Sequence, residues 1–118
     1  MRSMLVALLA LLSACSAHNS WSAKDIALES AMLGAIAVDY GQTRSITKDC
    51  AERNVIIGRC GEGMNPKLYM LTAALAHILV ANFLNDDYRT MFQTTSLGVE
   101  GYVIYRNWEN GHGPSLGD

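Results

Sequence analysis

Leu68-Tyr69-Met70-Leu71-Thr72-Ala73-Ala74-Leu75-Ala76-His77-Ile78-Leu79-Val80-Ala81-Asn82-Phe83-Leu84 is a run of seventeen residues without a formal charge. The fold turns on whether this run crosses a bilayer or packs inside a bundle. As a helix it would rise about 25 Å, at the short limit of what a ~30 Å hydrocarbon core requires. His77 and Asn82 are its two strongly polar breaks. Asn65-Pro66 precedes it, and proline suits a first helical turn. Asn85-Asp86-Asp87 follows it as a polar turn and caps the next helix.

Working outward, residues 88–108 form that next helix, ended by the turn chemistry of Asn110-Gly111-His112-Gly113-Pro114. On the other side, Ser22-Ala23-Lys24-Asp25 reads as a capping box that opens a helix over residues 23–46. Leu28, Met32, Ala35, Ile36 and Val38 supply its helical period, and Gly34 and Gly41 weaken it or admit a close neighbour. Residues 48–65 are irregular, with Gly58, Gly61 and Gly63. They carry Cys50 and Cys60, either a disulfide or two free thiols. Closing this loop of about ten residues would add roughly 2.5–3 kcal/mol. Two cysteines without further ligands make a poor zinc site. The expected fold is all-α, a small three-helix bundle with antiparallel neighbours. Its domain covers residues 23–110, with a tail over 111–118.

The chain has 118 residues, 17% charged, and a formal charge of -2. One domain fits that length, and a near-neutral balance excludes a nucleic-acid partner that reads phosphate through a basic face. Half the residues are hydrophobic, which excludes intrinsic disorder. Part of that half belongs to an address. Arg2 followed by the nine apolar residues 4–12 has the layout of a secretory signal peptide, too short to span. Leu12-Ser13-Ala14-Cys15 resembles the bacterial lipobox. That resemblance implies lipidation of the Cys15 thiol, cleavage after residues 1–14, and acylation of the new N-terminus, with residues 15–22 as a tether. Ser16, where an Asp would signal inner-membrane retention, points by the same resemblance to the periplasmic face of the outer membrane. Cleavage would leave eight Lys+Arg against eleven acids, or -3.

Six polar residues interrupt the apolar faces. Asp39 and Gln42 share a face of the first helix. His77 sits in the middle of the second. Gln93, Glu100 and Asn107 are seven apart on the third, one stripe over two heptads. Buried polar groups must pair, so Asp39, His77 and Glu100 are expected to meet. The set reads either as a polar network that fixes helix register or as a proton-handling or metal site. No HExxH motif or phosphate loop accompanies it, and no catalytic residue, cofactor or metal is nominated. Tyr102, Tyr105 and Trp108 form an aromatic face suited to core packing or to a membrane interface, with Trp21 and Arg106 as candidate helpers.

The segments Asp39-Tyr40-Gly41-Gln42-Thr43, Asn54-Val55-Ile56-Ile57-Gly58, His77, Arg89-Thr90-Met91-Phe92-Gln93 and Gly98-Val99-Glu100 together resemble a pattern of small bacterial and phage proteins. In that pattern a D-[WY]-G-Q-T helix precedes an N-P-I-[IL]-G-like loop, a mid-helix histidine and an R-x-x-[FW]-Q-x-x-x-x-G-x-E segment. Val55 stands where the pattern has proline, and Cys50 and Cys60 lie outside it. The resemblance implies that Asp39, Gln42, His77, Gln93, Glu100 and Asn107 act as a linked set, and it supplies no activity. Three functions stay in view. One is a non-enzymatic envelope lipoprotein binding a partner or lipid at the membrane surface. Another is an integral-membrane protein with a buried Asp/His/Glu proton or ion site. The third is an enzyme using Asp39, His77 and Glu100.

Overall fold

The structure, a computed structural model, describes residues 20–114. The leader, Cys15 and the end of the tail lie outside them. Among the described residues the chain is all-helical, with α1 (Ala23–Lys48), α2 (Pro66–Phe83) and α3 (Asp86–Glu109). Each helix starts on a side-chain cap. Ser22 and Asp25 form the reciprocal capping box, Asn65 accepts from the amides of Lys67 and Leu68 ahead of Pro66, and Asn85 accepts from Tyr88. These caps satisfy amides that the first helical turn leaves free.

α1 is the spine. Its buried positions include Asp25, Glu29, Met32, Ile36, Asp39, Thr43 and Ile46, spaced alternately by four and three. That is the 3.5-residue period of a coiled-coil seam, but polar residues occupy four of the seven places. α2 runs antiparallel to α1, since Trp21 meets Asn82 and Glu29 meets His77. α3 runs parallel to α1, because Asp25 meets Arg89 and Asp39 meets Asn107. The apolar core is small: Met32, Ile36 and Met70, with Tyr40, Tyr69, Ala74 and Leu97 packed against them. Gly41 is buried in the seam, whereas Gly34 faces open space.

The α1–α2 loop is built on backbone closure and carboxylates. Cys50 adopts a positive φ of 53°, and it is joined to Cys60 by a disulfide. Gly58 and Gly61 also take positive φ, which suits residues lacking a Cβ. The amides of Gly63 and Met64 donate to Ile57 O and Ile56 O at 2.8 and 2.7 Å. Glu62 accepts from the amides of Arg59 and Cys60, and Glu52 from those of Arg53 and Asn54. So tied, the loop presses Ile57 into the bundle, where it is 1% exposed.

Candidate functional site

The polar residues of the seam assemble into two layers with a cavity between α2 and α3. The first layer is centred on Arg89, which has no exposed surface. Its Nη1 donates to Asp25 Oδ2 at 3.2 Å and to the exposed Asp86 at 3.3 Å. Nε and Nη2 donate to Ala81 O and Leu84 O, both at 2.8 Å. One guanidinium therefore joins the start of α1 to the carbonyls at the end of α2, using the fixed fork of donors that only arginine offers. Trp21 lies across it with 5.3 Å from the guanidinium carbon to the ring centre, and donates from Nε1 to Asn82 Oδ1. Burial opposes ionisation of Asp25. The backbone and side-chain hydrogen bonds from Ser22, together with Arg89, outweigh it and hold that carboxyl below its ordinary value.

Gln93 extends the layer by donating from Nε2 to Asp25 O at 3.1 Å and to Glu29 Oε2 at 2.9 Å. Glu29 Oε1 lies 2.8 Å from His77 Nδ1, and both side chains are 7% exposed. Phe92 stacks on the imidazole at 4.5 Å between ring centres. His77 Nε2 has no protein partner.

The second layer lies at the other end. Asn107 Nδ2 donates to Asp39 Oδ1 at 3.1 Å and to Gln42 Oε1 at 3.3 Å, and Gln42 Nε2 donates to Ile104 O at 3.2 Å. Burial pushes the Asp39 carboxyl up to about 6, helped by repulsion from Glu100 and Glu52 and opposed by Asn107. Glu100 is likewise raised by burial, against the pull of His77.

The cavity has a volume of about 720 Å³, within the usual range for small-molecule sites. Apolar side chains from all three helices line most of it, among them Met32, Ile36, Met70, Val80, Phe92 and Val103. Asp39, His77, Glu100 and Asn107 supply its polar wall, and Glu52 and Arg53 reach it from the loop.

The six residues expected as one linked set thus divide. Asp39, Gln42 and Asn107 are joined by hydrogen bonds, while Gln93 and His77 belong to the Arg89 layer through Glu29. His77 does not sit between Asp39 and Glu100: its hydrogen-bonded carboxylate is Glu29, and the other two share only the cavity wall with it. The sequence marks Asp25 only as a capping residue and does not place Glu29 or Arg89 in the interior. The seam spacing of Asp25, Glu29 and Met32 was the signal that could have found them. Trp21 is built into the bundle against Arg89 rather than held out as an interfacial ring. Tyr102, Tyr105 and Trp108 are exposed, and Tyr105 and Arg106 both engage Glu109. Among the described residues no group of His, Cys, Asp and Glu is arranged to hold a metal ion.

No family model matches the chain, and comparison with curated proteins and with solved structures gives no significant match.

Proposed function

We propose that the protein is a bacterial or phage-encoded envelope lipoprotein, anchored through acylated Cys15 at the periplasmic face of the outer membrane, whose helical body works without catalysis by lying on the lipid surface. One observation carries this reading. α2 is long and apolar enough to cross a membrane, yet only 22% of it is buried. A core helix of that hydropathy would be largely covered. Instead Leu68, Leu71, Leu79 and Phe83 are exposed along one side, Phe83 by 82%, at spacings that keep them on one helical stripe. Met91, Tyr102 and Tyr105 form a comparable stripe on α3, with phenol rings of the kind that settle at headgroup level. Two or more acyl chains on Cys15 would hold this surface against the bilayer.

The test is flotation of the Cys15→Ala protein with phosphatidylethanolamine/phosphatidylglycerol vesicles. Wild-type helices should carry it to the lipid fraction, and Leu79→Asp with Phe83→Asp should leave it at the bottom. Equal flotation of the two would defeat the reading. Mass spectrometry of the membrane-extracted protein tests the anchor, and an intact Met1 would remove it.

An integral-membrane reading has one observation in its favour: residues 68–83 of α2 hold no Asp, Glu, Lys or Arg. It would turn the buried Glu29 and His77, with Asp39 and Glu100, into a proton or ion path. Alkaline carbonate separates the two. Release of the Cys15→Ala protein supports the surface reading, and retention in the pellet supports insertion.

A further inference from the structure

The cavity has an unbalanced wall. Asp39 from α1 and Glu100 from α3 both line it, and neither forms a salt bridge among the described residues. The other titratable groups that line it are Glu52 and Arg53 from the loop and Tyr69 and His77 from α2. Arg53 is the sole permanent cation among them, and it is an exposed residue.

His77 supplies an independent observation. Its residue is 8% exposed, and its Nε2 lines up with nothing in the protein. Glu29 takes a donor on each oxygen, Gln93 Nε2 on Oε2 and the imidazole on Oε1. A carboxylate so placed draws Nδ1–H toward Glu29 and leaves Nε2 without a partner in the protein. The histidine is locked in orientation by Glu29 and by the stacked ring of Phe92. A buried polar atom without a partner costs free energy unless something completes it.

We infer that the cavity is a binding site for a protonated primary amine carrying an apolar tail, with the ammonium set against Asp39 and Glu100 and the tail along Met32, Ile36, Met70 and Val103. The two unpaired carboxylates put negative charge on the wall, so it favours a head group made of N–H donors and repels a carboxylate placed against them. The raised carboxyls of Asp39 and Glu100 fit a site lacking its counter-charge. This site is separate from the lipid-facing stripes of α2 and α3, and it stands whether or not those stripes meet a membrane. A free alkylamine and the ethanolamine head of a lipid share the required chemistry.

Calorimetric titration of the disulfide-intact full chain with n-octylamine, n-octanol and octanoate tests it. At neutral pH octylamine should bind about tenfold or more tightly than octanol, the scale of one charge-assisted hydrogen bond, with octanoate weakest. Asp39→Asn and Glu100→Gln should each remove about tenfold of the octylamine affinity and leave octanol unchanged. Octylamine, whose own pKa lies near that of lysine, stays protonated throughout, so its affinity should fall as the pH is lowered to about 5 and Asp39 takes up its proton. Octanoate binding as well as octylamine overturns the inference, as does wild-type octylamine affinity in the Asp39→Asn/Glu100→Gln double variant, or the failure of all three probes to saturate. If Asp39→Asn does not fold by circular dichroism, Glu100→Gln, half-buried on the bundle's flank, decides alone. Competition by a soluble short-chain phosphatidylethanolamine, but not the choline analogue, assigns the amine to a lipid head. Its absence, with octylamine bound, assigns it to a free amine, and either result sustains the site.

Discussion

Replacing Arg89 by methionine should cost about 4 kcal/mol of folding stability. The apolar stem is kept, so the loss reports the guanidinium. Removing one member of a buried ion pair costs about 3–5 kcal/mol, because the partner is left charged without its counter-ion. Here that partner, Asp25, is 1% exposed. Ser22 would still hold it, which lowers the figure, but Ala81 O and Leu84 O would lose their donors, at about 1–3 kcal/mol for each buried group left unpaired. A domain of this size has roughly 5–15 kcal/mol in all, so the variant should be marginal. Its Tm should fall by about 15–30 °C, at 4–8 °C per kcal/mol. Urea unfolding followed by circular dichroism measures the loss, and fluorescence of Trp21, which lies over the guanidinium, reports it locally. Asp25→Asn in the same background should add about 1–3 kcal/mol less than it does alone, the signature of coupled residues. Asp86→Ala, which removes an exposed partner, should cost under about 0.5 kcal/mol. A loss below about 1 kcal/mol for Arg89→Met, or strict additivity with Asp25→Asn, would refute the reasoning.

Three further outcomes are expected. Reduction of Cys50–Cys60, which close ten residues of chain, should lower stability by about 2.7 kcal/mol on the chain-entropy estimate, read from urea midpoints with and without reductant. The folded-state carboxyl of Asp39 is raised to about 6, so folding takes up its proton. Stability from this group is therefore greatest below the unfolded value near 4 and is lost as pH rises through 6. Asp39→Asn should flatten that slope and gain about 1–2 kcal/mol at alkaline pH, as midpoints across the range will show. Gly63→Ala should destabilise by about 1–3 kcal/mol, because its Cβ would run into the carbonyl oxygen of Ile56, a backbone atom with nowhere to move. Thermal melts check it.

The helices and their ends were legible because caps are local chemistry. Ser22 with Asp25, Asn65 ahead of Pro66, and Asn85 each announce a helix start within a few residues. The antiparallel placing of α2 and α3 followed from a connection of two residues, whereas seventeen residues separate α1 from α2. The interior was harder. Apolar periodicity finds Met32 and Ile36 but passes over Asp25, Glu29 and Asp39 at equivalent seam positions, of which only Asp39 stood out as a polar break. Their burial depends on Arg89, His77 and Asn107, partners 64, 48 and 68 residues away in sequence. No local pattern encodes such pairs. Gln93 and Asn107 were visible as a heptad stripe, but which carboxylate each would meet depended on α1 and α3 running parallel. The cavity was hidden for a related reason: its lining comes from all three helices and the loop, residues far apart in sequence.

The separation of Asp25 and Arg89 has a consequence for how the chain acquires its shape. The guanidinium that completes the first turn of α1 and caps the end of α2 arrives only with the last helix. A nascent chain that stops short of residue 89 holds a buried-to-be carboxylate without a counter-ion and a helix end without donors. Its first two helices would meet through Trp21 with Asn82, Glu29 with His77 and the cluster of Met32, Ile36 and Met70 alone. The link between the three helix ends thus becomes available late in the chain, through one residue that touches every helix.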